Sequence, residues 1–337
     1  MCQSAYMSYM LAVQQFYKLV LLACCCILFS NKSIAQPNFN SLKDSSDTAR
    51  STRYINREFN NVYLQNARLS TFGNEYGNVL PTQLVADLVG NFVVFNTAKS
   101  HFSFIFNPRV KLRLLATQGA PVKSPSYMPG GTLYMRTNAN YFKPSFLSLS
   151  YSHHSNGIRG PTLNPDLTFN RDSGKFTTNF YTLTYTHGKR VDKDNLIANQ
   201  YKSLGLEVHA GLFNLGYSKA LKDQYGFVRL NGSYLYNLTR AYTDEVDATK
   251  RTFNNWMRLQ VDFQYILDKY NHYSIAQVNK RLNINAIYYY QFPFMKNVAL
   301  MAGGGYRGQD DYNIFFQDSY GYFTVGLAAG VSFGFHH

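Results

Sequence analysis

Along the chain, apolar side chains recur at every second position in short runs separated by polar stretches. The clearest run closes the sequence. Phe323, Val325, Leu327, Ala329, Val331, Phe333 and Phe335 share one parity, and Thr324, Gly326, Ala328, Gly330, Ser332 and Gly334 share the other. Successive strand side chains project to opposite faces, so this run predicts a strand with one apolar face and one face of small or polar groups. Comparable runs fall at about residues 83–96, 101–116, 131–138, 145–155, 179–187, 203–217, 225–238, 254–267, 281–292 and 297–306, and a weaker one at 60–69 brings the total to twelve. An even strand number is the habit of bacterial membrane barrels. The pattern therefore predicts an all-β fold: a transmembrane antiparallel β-barrel of about twelve strands over residues 60–337, with no second domain and no internal repeat. Gly188–Tyr201 and Thr239–Thr252 are polar enough to read as long extracellular connections. Residues 36–59, Ser/Asn-rich and without alternation, read as a periplasmic lead-in.

Composition agrees with a lipid-facing chain. Of 337 residues, 45% are hydrophobic, 16% aromatic and only 15% charged, against about 25% charged in ordinary soluble domains. Disorder is excluded by the aromatic content. The apolar run Leu19–Phe29 after Lys18, followed by Ser33-Ile34-Ala35, reads as a secretory signal peptide over residues 1–35. All four cysteines (Cys2, Cys24, Cys25, Cys26) lie inside it, so the mature chain is expected to have no disulfide, no thiol nucleophile and no thiolate metal site. The net charge of +14 is scattered. In a secreted chain this argues against nucleic acid and for anionic lipid or lipopolysaccharide as the partner.

One strand carries candidate chemistry. Leu147, Leu149, Tyr151, His153 and Ser155 share a parity, which puts an imidazole and a hydroxyl two residues apart on the lipid-facing side. Polar groups facing hydrocarbon are costly unless paired, and in membranes they are functional candidates by default. On the next strand Asn179 shares the apolar parity of Tyr181, Leu183 and Tyr185, so His153, Ser155 and Asn179 are expected to converge at one rim as base, nucleophile and orienting amide. Asn170, in the intervening loop, is the rival for the third role, and parity favours Asn179. His154 has the opposite parity and is expected at the lumen or rim.

The stretch His153-His154-Ser155-Asn156-Gly157 resembles the His-x-Ser-Asn-Gly motif of the outer membrane phospholipase A family. Pro121–Pro129 resembles the family's segment upstream of the motif, and Gly305–Gly308 through Asp311-Tyr312-Asn313 its penultimate loop. The resemblance spans roughly residues 60–335. It implies hydrolysis of phospholipid acyl esters in the bacterial outer membrane, with Ser155 as nucleophile, His153 as general base, Asn179 holding the His, and the Gly157 amide in the oxyanion hole. It also implies a calcium-bound homodimer. Two departures bear on calcium: the serine expected to help bind it falls on Gly119, and the loop after Ser155 is lengthened. The backbone-carbonyl ligands would fall at Ile158 and in that loop, where Asp166, Asp172 or Asn164 could also offer oxygens. A lipid A deacylase would need a Glu as third member, and none occurs between Ser155 and Glu207. A non-catalytic barrel of the same shape is the remaining alternative.

Overall fold

The computed structural model describes residues 48–334 except 97–100, 139, 141, 194–195, 212–215, 244–250, 293, 296 and 331. The expected signal peptide with its cysteines, most of the lead-in and His336-His337 lie outside the described residues. In chain order the structure comprises a helix α1 (Thr48–Gln65) and strands β1 (Ser70–Tyr76), β2 (Thr82–Val89), β3 (Asn91–Asn96), β4 (Phe102–Phe106), β5 (Arg109–Leu115), β6 (Val122–Met128), β7 (Gly130–Arg136) and β8 (Ser145–Ser155). There follow β9 (Thr177–Lys193), β10 (Leu196–His209), β11 (Val228–Thr243), β12 (Arg251–Ile266), a one-turn helix α2 (Val278–Arg281), β13 (Leu282–Gln291), β14 (Ala299–Arg307), β15 (Tyr320–Ala329) and β16 (Ser332–Gly334).

Some of these segments are halves of one crossing. β4 and β5 are split at Pro108 and β6 and β7 at Pro129, where a missing N–H interrupts the ladder. β2 runs on into β3 through Gly90, and β15 into β16. The segments thus form twelve crossings, each antiparallel to the next, and β15 returns to β1 from Ser70↔Ala329 to Tyr76↔Phe323 to close the barrel. One seam differs. Because β1 begins only at Ser70, the last crossing runs past it, and β16 lies parallel to β3, Ser332↔Asn91 to Gly334↔Val93.

The two faces separate as alternation requires. On β10, Leu204, Leu206 and Val208 are exposed while Tyr201, Glu207 and His209 are buried. Leu149, Leu183 and Leu206 stand side by side in register across β8, β9 and β10, all exposed. A closed ladder leaves no unpaired edge, which is the condition for strands to cross a bilayer, and an apolar outer band of this extent belongs in hydrocarbon rather than water. The protein is an integral β-barrel of the bacterial outer-membrane type. Among the described residues no helix is long and apolar enough to cross a membrane. Residues 156–176, 210–211 with 216–227, 267–281 and 308–319 belong to long connections at one end, the outer end by the rule that short turns face the periplasm.

Three stretches differ from the sequence expectation. The run at 60–69, expected as the first strand, is the end of α1 and the link that follows it. Ile55, Phe59, Val62 and Tyr63 repeat at helical spacing, and they pack inside the turn end of the barrel against Val93, Ile105, Tyr134, Phe146, Tyr201 and Leu235. Tyr63 stacks on Tyr134 with ring centroids 4.6 Å apart, and the Tyr201 hydroxyl donates to Gln65 Oε1 at 2.6 Å. Gly188–Tyr201 is not a long outer loop: β9 and β10 stay paired to Lys193↔Leu196 at the turn end. Thr239–Thr252 likewise belongs mainly to paired strands, with Thr243 opposite Arg251. Strand ends that leave the bilayer are polar on both faces, so their alternation fades while their backbone pairing continues.

The outer half of the lumen is filled by charge. Arg113 Nη1 donates to Asp310 Oδ2 and Lys111 Nζ to Asp311 Oδ1, each at 2.7 Å. Arg307 grips Glu75, with Nη2 to Oε2 at 2.8 Å. These bonds draw the 308–319 loop inward, where Tyr312, Ile314, Phe315 and Phe316 pack with Phe176, Leu221 and Tyr225 as a second apolar core. Burial would raise the Asp310 carboxyl, but the guanidiniums of Arg113 and Arg307 override it and hold the acid below the usual carboxylate range.

Candidate active site

Two neighbouring ladders place the candidate residues. β8 and β9 pair with His153 opposite Asn179 and Ser155 opposite Thr177. On its other side β8 follows β7 as far as Ser152↔Gly130, and beyond the Pro129 kink it meets β6 at Tyr127↔Ser155. The kink is tied to the site, since the His153 N–H donates to the Pro129 carbonyl at 2.9 Å. His153 and Ser155 are partly exposed and lie at the outer end of a strand whose Leu149, on the same face, is exposed to lipid. Their backbones are about 7 Å apart.

The protonation of His153 follows from a chain of hydrogen bonds. Asn179 Nδ2 lies 3.2 Å from the Gly216 carbonyl, which can only accept. The amide must therefore present Oδ1 on its other side, where Tyr151 Oη donates to it at 3.2 Å and His153 Nδ1 lies 2.7 Å away. An amide oxygen cannot donate, so the proton resides on Nδ1 and Nε2 is left as the acceptor. Asn179 is fully buried. Parity puts it on the lipid side, and Ala210 and residues 216–218 lie against it there: the Ala210 N–H donates to the Asn179 carbonyl at 3.0 Å, and the Ser218 N–H donates to the Thr177 carbonyl at 2.9 Å.

Beyond Ser155 the backbone turns. Gly157 is exposed with φ of +70°, a conformation that costs any other L-residue, and among the described residues its N–H donates to no protein acceptor. Asn156 is the fastener, a role that sequence reasoning did not assign. Buried at 3% exposure, its Nδ2 donates to the Gly174 carbonyl at 2.7 Å and its Oδ1 accepts from the Phe176 N–H at 3.0 Å. The signal was available, because an Asn between a strand end and a Gly is a residue type that bonds backbone.

Other candidates lie elsewhere. The Asn170 side chain is spent inside its own loop: Oδ1 accepts from the Ser173 N–H at 3.0 Å, and Nδ2 donates to Ser173 Oγ at 3.1 Å. His154 is buried with its ring 4.7 Å from that of Phe176. Glu207 is buried too, accepting from Asn231 at 3.0 Å and bonded to His209 at 2.9 Å. The side chains considered for calcium are each engaged by protein partners, and Asp172 lies apart from the two that meet at Thr168. Asp172 pairs with Lys123, Asp166 Oδ1 accepts from Thr168, and Asn164 donates to Thr168 Oγ1. Among the described residues no three acidic or histidine side chains group as a metal site. The side chains of one chain thus do not fit a preformed calcium cage.

No family model matches the chain, and no curated protein sequence does. Among solved structures, outer membrane phospholipase A from Escherichia coli is similar with a TM-score of 0.46, over 77% of this chain and 89% of that one, at 13% identity. At that distance the likeness assigns no residue a role. The barrel stands on its own strand pairing.

Proposed function

We propose that the protein is a serine-dependent phospholipase A that cleaves acyl esters of membrane glycerophospholipids at the outer, lipid-facing rim of the barrel. The observation that carries this reading is the 2.7 Å bond between His153 Nδ1 and Asn179 Oδ1, one strand step from Ser155 on the same face. A fully bonded amide that fixes an imidazole tautomer two residues from a hydroxyl on the same strand face has no evident structural use on a barrel exterior, although no hydrogen bond joins His153 to Ser155 in this structure. It is what a nucleophile–base pair requires.

In this mechanism Ser155 Oγ attacks the ester carbonyl carbon while His153 Nε2 takes the hydroxyl proton. The oxyanion of the tetrahedral intermediate lies toward the Gly157 N–H. Collapse breaks the bond to the lysolipid oxygen, which receives the proton from Nε2, and the Ser155 acyl ester is then hydrolysed by water activated in the same way. Asn179 keeps Nδ1 protonated throughout, and the imidazolium stays bonded without a counter-charge. No step runs through calcium. Calcium dependence and a homodimer, both implied by the family resemblance, belong to this proposal and are tested alongside it.

The test is release of fatty acid from phosphatidylglycerol in mixed micelles by purified protein, with calcium or with chelator, and with the assembly's mass measured in each. Ser155→Ala and His153→Ala are each expected to abolish release while the barrel stays folded. Turnover near the wild-type rate in either variant would refute the assignment, and a wild-type protein inert under both conditions would favour a non-catalytic barrel.

A further inference from the structure

Resting on the phospholipase reading, we infer that Arg159, Lys175 and Lys219 form a subsite for the phosphodiester of the substrate lipid, just beyond the reacting ester. The three cations sit on adjacent backbone segments at the outer rim. Gly160 bridges Gly174, and the Lys175 N–H donates to the Gly160 carbonyl at 3.2 Å, which brings Arg159 and Lys175 to neighbouring positions past the Ser155↔Thr177 pair. The third segment is joined to the second by the 2.9 Å bond from the Ser218 N–H to the Thr177 carbonyl, and Lys219 follows directly.

Charge pairing is the second observation. Several basic side chains at this end are matched by carboxylates: Lys123 with Asp172, Arg171 with Asp318, Lys269 with Asp223. Arg159, Lys175 and Lys219 are exposed, and among the described residues none has a carboxylate partner. Three unmatched cations side by side are a site for an anion with several oxygens, for which guanidinium and ammonium groups are the usual ligands.

The order of groups along the barrel identifies that anion. Moving outward there is first the exposed leucine row of Leu149, Leu183 and Leu206, then the Ser155 hydroxyl, then the loop segments that carry the cations. A glycerophospholipid lying along this face carries its groups in the same order: acyl chain, ester, and a phosphate a few bonds away. Lipid A also bears phosphates, so the test must separate the two sources.

Ser155→Ala protein, which cannot turn over lipid, is equilibrated in detergent with equimolar phosphatidylglycerol, diacylglycerol and lipid A, and retained lipid is read by native mass spectrometry. The expected result is a preference for phosphatidylglycerol over diacylglycerol of about tenfold or more. Adding Arg159→Gln, Lys175→Gln and Lys219→Gln together should remove it, and Arg159→Lys in the Ser155→Ala background should keep most of it. Equal retention of the two by the native rim, survival of the preference in the triple variant, or retention of lipid A in place of phosphatidylglycerol would each overturn the inference. The enzyme reading fails separately: a protein that retains phosphatidylglycerol through these cations yet releases no fatty acid has the subsite without the reaction.

Discussion

Replacing Asn179 by Ala is the most informative single change, because each of its bonds has a separate consequence. The substitution removes the acceptor for His153 Nδ1 at 2.7 Å and for Tyr151 Oη at 3.2 Å, and the donor to the Gly216 carbonyl at 3.2 Å. The bonds to Tyr151 and Gly216 join neutral groups and contribute about 1 kcal/mol each to stability, which a closed barrel tolerates. The bond to His153 differs, since it joins a charged donor once the imidazole has taken the Ser155 proton. Hydrogen bonds to charged groups are worth about 1.5–3 kcal/mol, so loss of this one should slow the chemical step roughly 10- to 150-fold. kcat should carry the fall, with KM little changed, because substrate does not touch Asn179. The assay is initial-rate fatty-acid release at saturating calcium, with Asn170→Ala in parallel and expected within twofold of wild type. A rate for Asn179→Ala within twofold of wild type, or damage from Asn170→Ala in its place, would refute the argument from the amide network.

Tyr151→Phe removes only the 3.2 Å bond to Asn179 and should lower kcat by a few-fold, between wild type and Asn179→Ala, in the same assay. Gly157→Ala forces a Cβ into φ of +70°, a cost of about 1–2 kcal/mol; turnover should drop about tenfold, and the unfolding midpoint in urea should fall by no more than that strain accounts for. Arg113→Met strands the buried Asp310 carboxylate, to which Arg113 is bonded at 2.7 Å; breaking such a pair costs about 3–5 kcal/mol, and the temperature at which the barrel shifts on gel electrophoresis should fall. Because Asp310 is held below the ordinary carboxylate range, its contribution is complete above about pH 4 and is lost as pH falls through its lowered value. Acidification below about pH 4 should therefore release the 308–319 loop, seen as faster proteolysis there, and a release already complete at pH 5, above the whole window, would contradict this.

Much of the barrel was legible because one solvent acts along each strand. Leu204, Leu206 and Val208 face lipid and their neighbours do not, so a period of two survives in the sequence. His153 and Asn179 were legible for the same reason, as polar residues on an apolar parity. What was hidden depends on distant pairing. Arg113 and Asp310 meet across the lumen, and nothing local to either announces the other. Lumen charges were accordingly missed, and the face opposite the apolar one read only as small or polar. The helical run ending in Val62 and Tyr63 could be mistaken for a strand because its apolar stripe faces a lumen that the sequence does not reveal. The shielding of Asn179 by Ala210 and residues 216–218 was equally invisible, since it rests on backbone groups that any residue can offer.

The parallel seam sets where the wall is weakest under load. β1 is seven residues long, while β11 and β12 run for 16 residues each, so the first crossing, paired at seven positions with the last and at three with β2, is the shortest in the cylinder. The three-residue patch of β16 against β3 adds little to it. A force that peels the cylinder open should start there, detaching β1 before any other crossing, and single-molecule pulling from the N-terminal side would register that as the first and smallest step. The His153–Asn179 pair lies on β8 and β9, several crossings from the seam in either direction, so a transient split would leave the site's own hydrogen bonds intact.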